Sequence, residues 1–182
     1  MCSRGLPTRK KGWSKPYYWT FFAEVDFPSF KNLESLVVRK KCPVVWVKTP
    51  KIYLRDTGLL HALLRVETFR DLQSNPALGA SWEAYIVQEI ASRLPPRADM
   101  YFYRTHDGTE ADVVIAFSGI PEVLIEIKYS TTPNPGKGFF IAQQDLGTTR
   151  NFVVSPVPKG YPISETASVL SHTELDQIFQ KK

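Results

Sequence analysis

Hydrophobic residues between positions 101 and 129 recur in three short runs that predict β-strands. The runs are residues 101–104, 111–117 and 122–129. Val, Ile, Phe and Tyr fill them, and Gly, Asp, Ser and Pro separate them, which is typical of strands joined by tight turns. Because side chains alternate along a strand, Glu126 and Lys128 are expected on one face together with Leu124. The pattern therefore predicts a sheet with charged residues at one end of its third strand.

A helix predicted upstream of these strands carries an acid inside its apolar stripe. Residues 80–94 have apolar side chains at helical spacing, and Glu83 falls in the middle of that stripe. A surface carboxylate belongs on the polar face, so Glu83 is either buried with a partner or part of a site. The alternative is a first-turn glutamate that favours the helix N-terminus and points to water.

The remaining pattern predicts an α/β fold in which residues 80–155 form one unit with the order αβββαβ. Further strands are predicted at residues 51–55, 151–154 and 161–164, and further helices at 57–64, 69–73 and 139–146. Asp56 or Thr57 is expected to cap the first of these helices, and Ser171 with Glu174 has capping-box spacing for a last helix. A crossover helix makes the strand at 151–154 parallel to the third central strand.

The predicted sheet brings candidate chemistry to one place. Asp112 shares a face with Val114, and hairpin pairing of the second and third strands brings Asp112 near Glu126. Two carboxylates and an ammonium in an apolar sheet cost desolvation energy unless something compensates them. A divalent cation held by the carboxylates does so. The alternative is a buried Lys128–Glu126 ion pair with Asp112 capping a turn.

Charge is distributed unevenly along the 182 residues. Residues 1–55 hold 12 Lys or Arg and 3 Asp or Glu, so the other residues hold 23 − 12 = 11 and 18 − 3 = 15. The basic end is rich in aromatic residues, a composition that suits binding to DNA through phosphate contacts and base stacking. The alternative is a solvated charged arm.

Several function classes are excluded by what the sequence lacks. No apolar run approaches the ~20 residues that span a membrane, and no signal-peptide core opens the chain. Cys2 and Cys42 predict neither a disulfide framework nor a zinc site. We therefore expect a cytoplasmic protein that does not bind membranes. The G-x-x-x-x-G-K-[ST] spacing of a P-loop is absent, so we do not expect ATP hydrolysis.

The order of the acids resembles the PD-(D/E)xK nuclease superfamily: Glu83 on a helix, Asp112 on a strand, and Glu126-x-Lys128 on the next strand. Residues 50–182 resemble more closely a prokaryotic domain of unknown function found at the C-terminus of AAA-type ATPases, itself assigned to that superfamily. The resemblance rests on residues 50–60 (PKIYLRDTGLL), 79–83 (GASWE), 103–105 (YRT), 108–112 (GTEAD) and 125–128 (IEIK).

The resemblance implies a restriction-endonuclease-like core in residues 76–182, a central mixed sheet flanked by helices. Residues 50–75 resemble the end of the winged-helix-like segment that precedes this domain in the family. Residues 1–49 form a separate basic, aromatic-rich segment, for which a winged-helix-like fold is one interpretation.

For function, the resemblance implies Mg²⁺- or Mn²⁺-dependent hydrolysis of phosphodiester bonds in DNA. Asp112, Glu126 and the backbone carbonyl of Ile127 would bind the metal, and Glu83 would hold a second metal or orient a water. Lys128 would position that water or stabilise charge on the phosphate. The alternative is a catalytically inactive module that binds DNA or protein for a partner ATPase.

Overall fold

The computed structural model describes residues 18–21, 23–24, 52–54, 56–104 and 109–180. Most of the predicted basic segment 1–49 lies outside the described residues. The interpretation of this segment as a winged-helix-like fold therefore stays a prediction. Within the described ranges, none of the helices is both long and apolar enough to cross a membrane.

Seven strands form one mixed sheet at the centre of the fold. In spatial order they are β1 (Tyr18–Phe21), β4 (Ala98–Arg104), β5 (Glu110–Phe117), β6 (Ile120–Ile127), β7 (Arg150–Ser155), β9 (Ala167–Ser171) and β8 (Tyr161–Pro162). Pairing is antiparallel from β1 to β6, parallel from β6 through β7 to β9, and antiparallel between β9 and β8. Two short strands, β2 (Ala23–Glu24) and β3 (Ile52–Tyr53), pair in parallel outside this sheet.

In the described part of the chain, four α-helices and one 3₁₀ helix accompany the strands. They are α1 (Thr57–Leu63), α2 (Phe69–Ser74), α3 (Leu78–Ser92), α4 (Lys137–Leu146) and the 3₁₀ helix His172–Ile178. The predicted cap of α1 is confirmed, because the Asp56 carboxylate accepts a 3.0 Å hydrogen bond from the Leu59 N–H. The predicted capping box of Ser171 and Glu174 is also present, although the helix that it opens is of the 3₁₀ type.

The sheet has a separate apolar core on each face. On one face, Ile86, Val87 and Ile90 of α3 pack against Val113, Ile115, Val123 and Ile125. On the other face, Phe139, Ala142 and Leu146 of α4 pack against Val114, Leu124 and Val153. Consecutive residues in the middle of these strands therefore point into opposite cores, which is why residues 113–117 and 123–125 are apolar without interruption.

The predicted α/β class and the αβββαβ order are confirmed by helix α3, strands β4 to β6, helix α4 and strand β7. The parallel pairing of β6 with β7 is confirmed too. Strand β4 starts at Ala98, three residues before the predicted run. Strand β9 was not predicted, because its serines interrupt the apolar pattern; both Ser171 and its neighbour Leu170 are nevertheless buried.

Candidate functional site

Strands β5 and β6 stop pairing at the position where the predicted acids begin. The pair Val113–Ile125 is the last in the register, and the next residues outward are Asp112 and Glu126. There the Asp112 carboxylate accepts a 2.9 Å hydrogen bond from the Ile127 N–H. A charge-assisted bond of this kind is stronger than the ladder bond it replaces. The Asp112 carboxylate therefore lies beside the peptide that joins Glu126 to Ile127.

The Glu126 carboxylate is engaged on one oxygen only. Its Oε1 forms a 2.8 Å ion pair with Lys128 Nζ, and the two side chains are 16% and 35% exposed, respectively. Its Oε2 is buried and has no hydrogen-bond partner in the described part of the chain. A buried, unpaired carboxylate oxygen is costly, so this atom suits a cation or a water that the site recruits.

The first turn of α4 lies close to both acidic strands. A Cβ atom built on Gly136, which precedes the helix, would lie 3.8 Å from Glu126 Oε1. A Cβ atom on Gly138 would lie 3.5 Å from the backbone oxygen of Glu110. The helix N-terminus carries partial positive charge, which favours a nearby carboxylate. The sequence excluded a P-loop here but gave no sign that these glycines face the acidic strands.

Glu83 has a partner that the sequence did not identify. The Tyr53 hydroxyl donates a hydrogen bond to Glu83 Oε1, and both side chains are partly buried. This contact supports the alternative in which Glu83 is buried with a partner or is part of a site, and it contradicts the alternative in which Glu83 points to water. Tyr53 belongs to β3, thirty residues earlier in the chain. The local sequence patterns that predict helices and strands give no information about a contact over that distance.

The structure does not join Glu83 to the other acids as a three-carboxylate cluster. Helix α3 packs on one face of the sheet, and Ile125 and Ile127 of β6 point to that face, so alternation directs Glu126 toward the face covered by α4. Among the residues with described positions, no group of three or more His, Cys, Asp or Glu side chains is arranged to hold a metal ion. The predicted role of Glu83 as a metal ligand or as a residue that orients a water stays a prediction.

The remaining oxygen donors are nevertheless of the type that Mg²⁺ accepts. Asp112 and Glu126 supply carboxylates, and the backbone of Ile127 lies between them. Mg²⁺ commonly binds through one or two carboxylates and keeps several waters, so a three-carboxylate cluster is not required. The unpartnered Glu126 Oε2 is the atom that fits this ion best.

The site lies within the part of the chain that matches a known protein family. Residues 78–175, more than half of the chain, match the family described as "Domain of unknown function (DUF4143)". Two relatives are the uncharacterized proteins Rv2008c of Mycobacterium tuberculosis and Mb2031c of Mycobacterium bovis. Each is 38% identical over 141 residues, covering 73% of this chain and 31% of the relative. The chain thus spans about a third of the length of these relatives. No solved structure matches it.

Proposed function

The chain belongs to the DUF4143 family, whose function is unknown, and from that premise we propose that it is a nuclease-fold domain hydrolysing phosphodiester bonds in DNA with Mg²⁺ or Mn²⁺. One observation carries the proposal: Glu126 Oε2 is buried without a partner among the described residues, and it lies on the strand that pairs with the strand of Asp112. The resemblance to the PD-(D/E)xK superfamily supports it, since the order α3, β5, β6, α4, β7 and the positions of the acids agree with that pattern.

Each residue of the site has a distinct role in this proposal. Asp112 and Glu126, with the Ile127 carbonyl, hold the metal ion. The ion, when bound, polarises the phosphate and lowers the pKa of a bound water. Lys128 leaves its ion pair with Glu126 and stabilises negative charge that develops on the phosphate. Glu83 holds a second metal ion or orients a water, and the Tyr53 hydroxyl fixes its orientation.

A cleavage assay tests the proposal directly. Plasmid and linear DNA are incubated with the protein in Mg²⁺, Mn²⁺ or EDTA. We expect metal-dependent cleavage that Asp112→Asn and Glu126→Gln abolish, because both amides keep the shape of the acid and remove its charge. Glu122→Gln is the matched control: Glu122 lies on β6 four residues before Glu126 and is half-buried. Loss of cleavage in the control, or cleavage that persists in both site variants, would contradict the assignment.

The basic end supports DNA as the substrate. Residues 1–15 contain Arg4, Arg9, Lys10, Lys11 and Lys15 and no acid. Removing them should weaken DNA binding and reduce the salt dependence, by at most about 0.9 in log K per log salt for each lost phosphate contact. The truncation must stop before Tyr18, because β1 pairs with β4 in the main sheet. If a binding titration shows the same affinity and the same dependence of affinity on salt after truncation, the segment is a solvated charged arm that does not contact DNA.

A second function is favoured by one specific observation, the Glu126–Lys128 ion pair. If this pair persists, Lys128 is occupied and the site is closed to metal. The chain would then be an inactive module that binds DNA or protein, and a partner ATPase is the natural candidate given that the relatives are about three times longer than the matched region. DNA binding without metal binding or cleavage identifies this function.

A further inference from the structure

Two of the cations beside the acidic strands already have a carboxylate partner, and a third does not. Lys128 Nζ lies 2.8 Å from Glu126 Oε1, and Arg104 forms an ion pair with Glu110, its cross-strand neighbour on β5. Lys137 is the first residue of α4. Its side chain is exposed and forms no ion pair with any residue whose position is described. Lys137 is therefore available to a ligand.

Lys137 also lies within reach of the acidic site. A Cβ atom built on Gly136, the residue before it, would be 3.8 Å from Glu126 Oε1. Because consecutive Cα atoms are about 3.8 Å apart, the Lys137 Cα is at most about 9 Å from that oxygen. Helix α4 covers the face of the sheet toward which Glu126 points. The lysine ammonium is carried on a flexible four-carbon stem, so it can approach a ligand held at this site.

The position of Lys137 costs the helix stability. The N-terminus of a helix carries partial positive charge, which disfavours a cation in the first turn. The first turn of α4 contains no acidic residue, and its N-cap, Gly136, supplies no side-chain hydrogen bond. Natural proteins break such local rules chiefly at functional sites. The start of α4 is therefore arranged to favour an anion that comes from outside the helix.

We propose that Lys137 binds a DNA phosphate next to the one that is cleaved, and so positions the DNA strand on the acidic site. This inference rests on the proposed function, which supplies DNA as the substrate. Successive phosphates of one strand rise about 3.4 Å along the duplex axis, so a phosphate held at Asp112 and Glu126 has neighbours within reach of this lysine. A lysine contacts phosphate as a point charge and needs no fixed geometry. Lys137 is thus a substrate-binding residue and takes no part in the chemical step.

The alternative is that Lys137 only balances the negative charge of the neighbouring carboxylates. Removing it would then favour metal binding at Glu126, and the number of phosphates that the protein contacts would not change. The two roles differ in their dependence on salt. Each phosphate contact on duplex DNA adds about 0.9 to the slope of log K against log salt. A salt titration therefore separates a phosphate contact from charge balance.

The test uses the full chain carrying Asp112→Asn, so that binding is measured without cleavage. A labelled DNA duplex is titrated by fluorescence anisotropy. Adding Lys137→Gln should weaken binding at low salt and reduce the slope by about 0.9. Between about 50 and 200 mM salt, the parent should then lose about threefold more affinity than the variant. Lys137→Arg keeps the charge and should bind like the parent. Lys159→Gln is the matched control, because Lys159 is exposed in the loop beside β9, two strands away from β6.

Cleavage by the chain with Asp112 intact gives a second readout. In Mg²⁺, Lys137→Gln should raise KM and leave kcat unchanged, as expected when binding is lost without an effect on the chemical step. An unchanged salt slope in Lys137→Gln, an equal change in Lys159→Gln, or a loss in Lys137→Arg as large as in Lys137→Gln would overturn the inference. So would a parent that does not bind DNA. If the salt slope depends on Lys137 but the wild-type chain does not cleave DNA, the proposed function fails and the phosphate contact stands.

Discussion

The effect of Glu126→Gln on the melting temperature should depend on metal. Compared with wild type, the variant should be equally stable or more stable without metal, and less stable with metal. The amide keeps the size of the carboxylate and removes its charge. Without metal, Glu126 Oε2 is buried and has no partner among the residues with described positions, a feature that costs about 1–3 kcal/mol. The ion pair with Lys128 offsets little of this, because a partly exposed pair contributes about 0–1 kcal/mol. In EDTA, Glu126→Gln should therefore unfold at the same temperature as wild type or at a higher one.

With metal, the order of the two proteins should be reversed. An ion that binds only the folded state at about one hundred times its dissociation constant adds about 2.7 kcal/mol to the free energy of unfolding. For a chain of this length, 1 kcal/mol corresponds to about 2–4 °C, so the melting temperature of wild type should rise by about 5–11 °C. Glu126→Gln has lost a ligand and should show a rise of a few degrees at most.

The measurement is a pair of melting curves by circular dichroism, in EDTA and across a Mg²⁺ or Mn²⁺ titration. Glu122→Gln should follow wild type under both conditions, because it removes a carboxylate of the same strand outside the site. Calorimetric titration of the ion into each protein gives the dissociation constants independently. The reasoning is refuted if wild type gains no stability from either ion, or if Glu126→Gln gains as much as wild type.

Three further variants probe the neighbours of the acids and the packing of the sheet. Lys128→Ala should bind metal at least as tightly as wild type, since it removes a competing cation, yet lose about 10²–10³ in cleavage rate; unchanged cleavage would remove Lys128 from the mechanism. Tyr53→Phe removes the hydroxyl that bonds Glu83, and it should lower the cleavage rate about 10- to 100-fold with metal affinity intact; a normal rate would make the bond structural only. Gly160→Ala should destabilise the fold by roughly 1–3 kcal/mol in urea unfolding, because the new Cβ would lie 2.6 Å from the Val169 carbonyl oxygen; wild-type stability would show that the loop moves.

The faces of the central strands followed from the sequence. Alternation along a strand is fixed by backbone geometry, so the separation of Val113 from Val114, and of Leu124 from Ile125, needed no knowledge of the rest of the chain. Capping is equally local, and Asp56 could be identified from its position before an apolar helical pattern. The place of Asp112 opposite Glu126 followed from hairpin pairing and is supported by the register of β5 and β6.

The sequence alone therefore determined the helices, the strands and the faces of their side chains. These features depend on hydrophobic periods of two residues in strands and 3.6 residues in helices, which can be read within a single segment. Tertiary packing decided the rest. The sequence could not show that α3 and α4 cover opposite faces of the sheet. Nor could it show that Tyr53 reaches Glu83 or that Gly136 approaches Glu126. These contacts join segments distant along the chain, and such contacts depend on which apolar faces are buried together and not on the local backbone pattern.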